Sequence, residues 1–283
     1  TRCLLDEAAI PVAAGEPVGS ADEAWRVAIE RGLPVVIKPR HGNQGRGVSV
    51  GLASEAGVRQ AYQTAASGGA EVVVECCLQG DDYRLLVVGG NLVAAARRCP
   101  PLVVGDGVAS VRELVARKNA DPRRCADHAG SLSPIPLDAV AESLLKEQGL
   151  AADAVPARDQ QVLLRRNANL STGGTAEDVT DQVHPEIARM AIEAARIVGL
   201  DIAGVDLMAT HIDRPLTGQS SGIVEVNACP GLRMHLEPTT GAARDAGAAI
   251  VEMLFPPGDD GRIPVAAVTG TNGKTTVTRL LAH

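Results

Sequence analysis

Aromatic side chains are nearly absent from this sequence. Among 283 residues there are one Trp, two Tyr and one Phe, namely Trp25, Tyr62, Tyr83 and Phe255. A protein that stacks nucleic-acid bases needs aromatic platforms, so this scarcity argues against that class. The formal net charge of −7 argues against general polyanion binding, although local basic pockets are compatible with it. Cysteine occurs six times, but never as a CxxC pair or in a Cys/His cluster with zinc-ligand spacing. The thiols at Cys3, Cys76, Cys77, Cys99, Cys125 and Cys229 read as reduced side chains of a cytoplasmic protein. No apolar run approaches the length of a membrane span, and the opening TRCLLDEAAI lacks a signal-peptide pattern. Internal repeats and low-complexity tracts are missing as well.

What is present is aliphatic. Hydrophobic residues make up 45% of the chain, so Val, Leu, Ile and Ala must build the core. Such a core suits buried parallel strands under Ala-rich helices. ADEAWRVAIERG reads as a helix, and LPVVIKP as a strand stopped by proline. AEVVVECCL reads as a further strand, and DYRLLVVGGNLVAAARR as a hairpin turned at Gly89-Gly90-Asn91. HPEIARMAIEAARIVG puts Ile187, Met190, Ala191, Ala194, Ile197 and Val198 on one helical face. DIAGVDLMAT and SGIVEVNACPG form a second strand pair with a polar connection.

This order of elements gives an α+β domain over 1–254, with an insertion at about 100–158 rich in Pro, Asp and charge. FPPGDDGR marks a linker at 255–263. Residues 264–283 then read as the first strand and phosphate loop of a second, truncated domain, and both ends of the sequence look cut.

Several residues stand where phosphate and metal chemistry need them. Lys38 ends an apolar strand, and Gly42, Gly45 and Gly47 follow in a loop whose N–H groups can approach phosphate, with Arg46 adding charge. Alone, such a loop is equally a flexible hairpin with a snorkelling lysine. Glu75 and Asp82 sit at strand ends, where carboxylates accept hydrogen bonds from an adenine amino group or ribose hydroxyls, unless they are merely solvated. Asp206 lies on one strand while Glu225 and Asn227, two residues apart and so on one face, lie on the next. Three oxygen ligands suit Mg²⁺ when substrate phosphates supply the rest. LRRNANLSTGGTA carries Arg165, Arg166, Asn169, Ser171 and Thr172, suited to holding an anion. Arg97, Arg98, Arg233 and His235 add polar groups nearby in sequence, each of the arginines being as easily a surface ion pair.

Taken in this order, the motifs resemble those of the ATP-grasp carboxylate–amine ligases. GNQGRGV, GDDYRLLVVGG, VVGDGVASVRELV, NADPRR, NLSTGGTAEDVTD, GLDIAGVD and EVNACPGLRMH together resemble the cyanophycin synthetase family over the whole chain. In that family an ATP-grasp domain precedes a Mur-ligase-like domain whose phosphate loop reads GTNGKTT, as residues 270–276 do here. Gly270, Thr271, Asn272, Gly273, Lys274, Thr275 and Thr276 would then be nucleotide contacts of that second domain. Val268 stands where the usual Walker spacing has its first glycine.

The resemblance implies ATP on Lys38, Gly45, Arg46, Gly47, Glu75 and Asp82, and Mg²⁺ on Asp206, Glu225 and Asn227. Arg97, Asn169, Ser171, Arg233 and His235 would serve the carboxylate and acyl-phosphate region. It further implies aspartate added to an aspartate–arginine primer, arginine added by the Mur-like part, an additional N-terminal domain, and a homo-oligomer. Two departures are His41, where an acid is expected, and the small pair Cys76-Cys77 where bulkier residues are usual. A different peptide ligase such as a glutathione-synthetase-like enzyme, or a non-catalytic ATP-binding module, are the alternatives.

Overall fold

The structure is a computed structural model that describes residues 2–41, 47–67, 69–125, 130–259, 261–262, 265 and 267–281. Helix α1 (Arg2–Glu7) and strand β1 (Gly15–Val18) lead into α2 (Ala21–Arg31), which begins where the Ser20 side chain accepts the Glu23 N–H. Strands β2 (Val35–Pro39) and β3 (Ser49–Leu52), helix α3 (Glu55–Ala65) and strand β4 (Val72–Cys76) complete a first unit. Its sheet has the order β1-β4-β2-β3. Val27, Ala28, Val58 and Ala61 of the two helices pack on Val35, Ile37, Val72 and Val74 of one sheet face. The alternate residues, Val36, Lys38 and Glu75, therefore face the other way.

The second sheet holds β5 (Asp81–Val88), β6 (Asn91–Cys99), β9 (Thr175–Asp178), β10 (Ile202–Ala209) and β11 (Gly222–Asn227), in the order β11-β10-β5-β6-β9. The β5–β6 turn is built on Gly89 and Gly90, both at positive φ, as a tight hairpin requires. Helix α6 (Pro185–Val198) covers one face, with Ile187, Ala191 and Ala194 against Leu85, Val87, Val205 and Leu207. The period-3.6 pattern of the sequence thus meets its period-2 counterpart.

Every ladder in both sheets is antiparallel, which corrects the expectation of parallel strands. β5 reads as a continuous apolar run because both its faces are covered. Leu85 and Val87 pack against α6, while Leu86 and Val88 pack against α8 (Ala246–Leu254) on the opposite side.

Two register shifts matter for the site. Val93 is an extra residue in β6, between the pairs Leu86↔Ala94 and Val87↔Leu92. Val224 is an extra residue in β11, between Asp206↔Glu225 and Leu207↔Ile223. Each bulge inverts which residues of its strand face the site.

The insertion folds around its own small core. Strand β7 (Leu102–Val104) pairs with β8 (Gln161–Leu163), and helices α4 (Val111–Asn119) and α5 (Ala139–Glu147) pack Val111, Val115, Ala141 and Leu145 onto Val103 and Val162. It closes at Leu164 rather than 158, because β8 returns to pair with β7. A short helix α7 (Arg233–Leu236) follows β11, and α9 (Lys274–Leu281) lies near the C-terminus. The strand expected at 264–269 is not formed by its described residues, which pair with no other strand; Val265 is 85% exposed.

Candidate active site

The uncovered face of the first sheet and the polar face of the second enclose a cleft of about 450 Å³. Lys38, Glu75, Asp82, Asp206 and Glu225, all marked by the sequence, line it together with Arg98. Arg40 lines it as well, and an apolar wall comes from Ala13, Val36, Val50, Leu78, Met208 and Val224.

On the first sheet, Glu75 is 4% exposed and both its oxygens are engaged. Lys38 Nζ lies 2.7 Å from Oε2, and Arg2 Nη1 lies 2.5 Å from Oε1. A buried carboxylate requires such pairing. Glu75 therefore holds Lys38 in place instead of presenting free oxygens to an adenine or ribose, a change from the sequence expectation. The strand continues into Cys77 and Leu78, whose backbone N–H groups donate to no described residue, leaving main-chain polar atoms at the cleft edge. Cys76 and Cys77 line the cleft together with Val36, Val50 and Met208.

On the second sheet, Asp206 sits opposite Arg84 on one side and Glu225 on the other. Arg84 donates from Nε to Asp206 Oδ1 and from Nη2 to Oδ2 at 3.1 Å. Arg98 Nη2 reaches the same Oδ2 at 3.1 Å, while its Nε donates to Asp82 Oδ1 at 3.0 Å. Two arginines and two aspartates thus form one alternating network. Burial pulls the Arg98 guanidinium down, but Asp206 and Asp82 outweigh it and leave it above its ordinary value. Burial pushes the Asp82 carboxyl up despite Arg98. Gly204 makes room: a Cβ there would lie 3.1 Å from Arg84 Cδ and 2.7 Å from Pro230 Cβ.

Neither Arg2 nor Arg84 was marked by the sequence, and Arg98 was weighed only beside Arg97. Arg97, expected at the reacting groups, is on the opposite face of β6, paired with Glu177 and with Asp81 at 3.2 Å. The Val93 bulge is the physical reason. Counting from the turn without it, Arg97 would stand opposite Asp82; with it, Arg98 does.

Asp206, Glu225 and Asn227 fit a hard divalent cation by their chemistry, being oxygen donors on one face of two neighbouring strands. Glu225 is exposed to the cleft and pairs with no described cation. Asn227 Nδ2 lies 3.5 Å from Asp206 Oδ2. Among the described residues no three His, Cys, Asp or Glu side chains form a metal cage. Waters or substrate oxygens would complete the shell.

His235 on α7 is 2% exposed, and its Nε2 has no hydrogen-bond partner among the described residues. Burial, followed by the nearby Arg84, lowers its pKa to about 4, so the ring is neutral at physiological pH. Asn169 and Ser171 flank Leu170, which packs with Met234 of α7; they stand beside that helix and not on the cleft wall. Arg165 is held by Asp138 at 2.6 Å and Arg166 by Glu147 at 2.5 Å, so both brace the insertion. Arg233, one residue before Met234, begins α7. Gly47 is at positive φ against Pro39; Gly42, Gly45 and Arg46 lie outside the described residues.

The terminal loop is apart from this cleft. Gly270 and Gly273 are at positive φ, and Thr271 and Asn272 lie between them. Lys274, with Thr275 and Thr276, opens α9, and its Nζ folds back to Gly270 O at 2.6 Å. The helix buries no residue.

Two family models match. The RimK-like ATP-grasp domain matches residues 157–254, and the ATP-binding domain of the carbamoyl-phosphate synthase L chain matches residues 1–83. Between them they take in the strands on both sides of the cleft. The chain belongs to the ATP-grasp family.

Among ATP-grasp relatives, the cyanophycin synthetase of Synechocystis sp. is 44% identical over 286 residues, covering 100% of this chain and 33% of that protein. A glutathione biosynthesis bifunctional protein from Mannheimia succiniciproducens is 40% identical over 230 residues, covering 80% of this chain and 30% of that protein. The crystal structure of a bifunctional glutathione synthetase from Pasteurella multocida matches with a TM-score of 0.64 at 35% identity, covering 90% of this chain and 35% of that one. The chain thus spans about a third of the length of the curated relatives it matches. Among the described residues no helix is long and apolar enough to cross a membrane.

Proposed function

We propose that this chain is the ATP-grasp portion of an ATP-dependent carboxylate–amine ligase of the cyanophycin synthetase type. The observation that carries the reading is the convergence of Lys38, Arg98, Asp206 and Glu225 on one cleft with an apolar wall. An adenine is accommodated by the apolar side near Cys77 and Leu78, and the triphosphate by the charged side. Lys38, steadied by Glu75, contacts phosphate oxygens, and Arg84 and Arg98 offer guanidinium donors where negative charge builds.

Asp206, Glu225 and Asn227 would hold Mg²⁺, which neutralises phosphate charge when bound. A carboxylate oxygen of the acceptor attacks the γ-phosphorus, the bond to the β–γ bridging oxygen breaks, and ADP leaves. The amine of the incoming amino acid then attacks the acyl carbon, phosphate departs, and the amine loses a proton. This chain contributes positioning and charge; His235, neutral beside Arg84 and Arg98, adds no third positive charge to theirs.

The acceptor we propose is the C-terminal carboxylate of an aspartate–arginine polymer, and the amine that of L-aspartate, in a cytoplasmic setting. Residues 264–283 would begin a Mur-ligase-like domain, with Gly270–Thr276 as its phosphate loop; arginine addition would belong there, in a homo-oligomer. Support is the similarity to cyanophycin synthetases along the full chain. The similarity to a glutathione biosynthesis protein over 80% of the chain favours one other reading, a ligase acting on glutathione precursors.

The experiment is ATP-dependent incorporation of labelled aspartate onto a short aspartate–arginine primer, with a glutathione-precursor arm and a Glu225→Gln control. Aspartate incorporation, lost in the control, supports the first reading. Incorporation only in the other arm replaces it, and a folded chain that binds no ATP removes both.

A further inference from the structure

A second cavity, of about 200 Å³, lies where the insertion joins the end of the second sheet. Cys99, Leu102, Lys118, Arg124, Gly173 and Thr175 line it. Gly173 and Thr175 come from the NLSTGGTA loop, so the anion-holding character expected of that loop meets two cations here and not in the cleft.

Neither cation is paired with an acid among the described residues. Lys118 Nζ donates to Leu102 O at 2.8 Å. Arg124 Nη1 donates to Ser133 O at 2.5 Å and to Gly173 O at 3.1 Å. Among the described residues no carboxylate lines the cavity, and neither cation forms an ion pair. Burial, followed by the proximity of Arg124, lowers the Lys118 ammonium from its ordinary value, while Asp121 lies near enough to Arg124 to offset part of its burial without pairing with it. Such an arrangement is unfavourable until an anion enters. Carbonyl partners fix both heads in place, so an entering anion meets pre-oriented donors.

The pocket lies at the end of the strand that carries Arg98, on the face of Arg97 and across the sheet from the cleft. Cys99 directly follows Arg98, and Cys99 pairs with Thr175 as Arg98 pairs with Ala176. We propose that this pocket is a carboxylate subsite for an acyl-linked aspartyl residue of the acceptor chain. The proposal rests on the ligase reading above. Two cations with no acid favour an N-acylated residue over free aspartate, whose ammonium would find no partner. The volume matches one small side chain and not a nucleotide.

The test is calorimetric titration of the 283-residue chain with N-acetyl-L-aspartate, L-aspartate and inorganic phosphate, each beside a non-hydrolysable ATP analogue. N-acetyl-L-aspartate should bind more tightly than L-aspartate. Lys118→Met should weaken it roughly tenfold to a hundredfold, as loss of one charge-assisted bond implies. Lys118→Arg should retain it, and the ATP analogue should bind all three proteins alike.

Equal N-acetyl-L-aspartate binding in Lys118→Met, absence of binding, or a preference for phosphate or for free aspartate overturns the proposal. Failure of the ATP analogue to bind overturns the ligase reading instead, and so separates the two.

Discussion

Asp206 lies directly between Arg84 on β5 and Glu225 on β11, and its two oxygens are shared by Arg84 and Arg98. A carboxylate shared by two guanidinium groups cannot also give both oxygens to a cation. The row Glu225–Asp206–Arg84 therefore couples the proposed metal ligands to the proposed phosphate ligands through one side chain.

Arg98 and Arg97 are neighbours in sequence but should behave as unrelated residues. Arg98→Met leaves buried Asp82 and Asp206 undercompensated, at a cost of about 3–5 kcal/mol by the behaviour of broken buried pairs. Arg97→Met removes partly exposed pairs and should cost no more than about 1 kcal/mol. Urea denaturation of the two variants checks this, and equal losses would refute the assignment of faces.

Glu225→Gln should leave stability within about 0.5 kcal/mol, since the side chain is exposed and unpaired with described cations. The Mg²⁺ concentration needed for ATP binding should rise about tenfold, because charged oxygen ligands set cation affinity. Titration of nucleotide binding against Mg²⁺ measures it. An unchanged requirement would place the cation elsewhere.

Lys38→Met should weaken ATP binding by roughly tenfold to a hundredfold through loss of a charged donor. Glu75→Gln should also weaken it, though Lys38 is retained, because the lysine is no longer anchored. Equilibrium binding by both variants, beside circular dichroism to confirm folding, tests the positioning role. Normal affinity in Glu75→Gln would reduce Glu75 to a structural ion-pair partner.

His235 makes the fold sensitive to acid in a definite window. Its folded pKa of about 4 lies below its ordinary value of 6.5, so the unfolded chain binds the proton first. Stability contributed by the neutral ring is complete above pH 6.5 and declines as pH falls toward 4, by about 3 kcal/mol at most at 1.36 kcal/mol per unit. His235→Gln should flatten the difference in unfolding free energy between pH 7 and pH 4.5. Parallel pH profiles of the two proteins would show the idea wrong.

Much of this was legible beforehand. Lys38, Asp206 and Glu225 announce themselves because a charge in an apolar strand demands an explanation. Helix α6 and the β5–β6 hairpin follow from periodicity and a glycine pair. What stayed hidden depends on long-range register. Arg2 meets Glu75 across 73 residues and Arg84 meets Asp206 across 122, and no local pattern records either. The end of the insertion is hard to read from sequence because β8 is only three residues long, too short to show alternation. The antiparallel sheets were missed because composition reports what is buried and not which way a strand runs.

The Val93 bulge has a consequence for how this hairpin can vary. Loss of that one codon would remove the extra residue, let Leu92 and Ala94 pair in succession, and leave Arg98 opposite Asp82. Closing the bulge at unchanged length, with Val93 paired to Leu86, would instead shift every partner from Ala94 to Cys99 by one place and bring Arg97 opposite Asp82. In this hairpin a deletion at position 93 should be milder than a substitution that straightens the strand with all its residues in place.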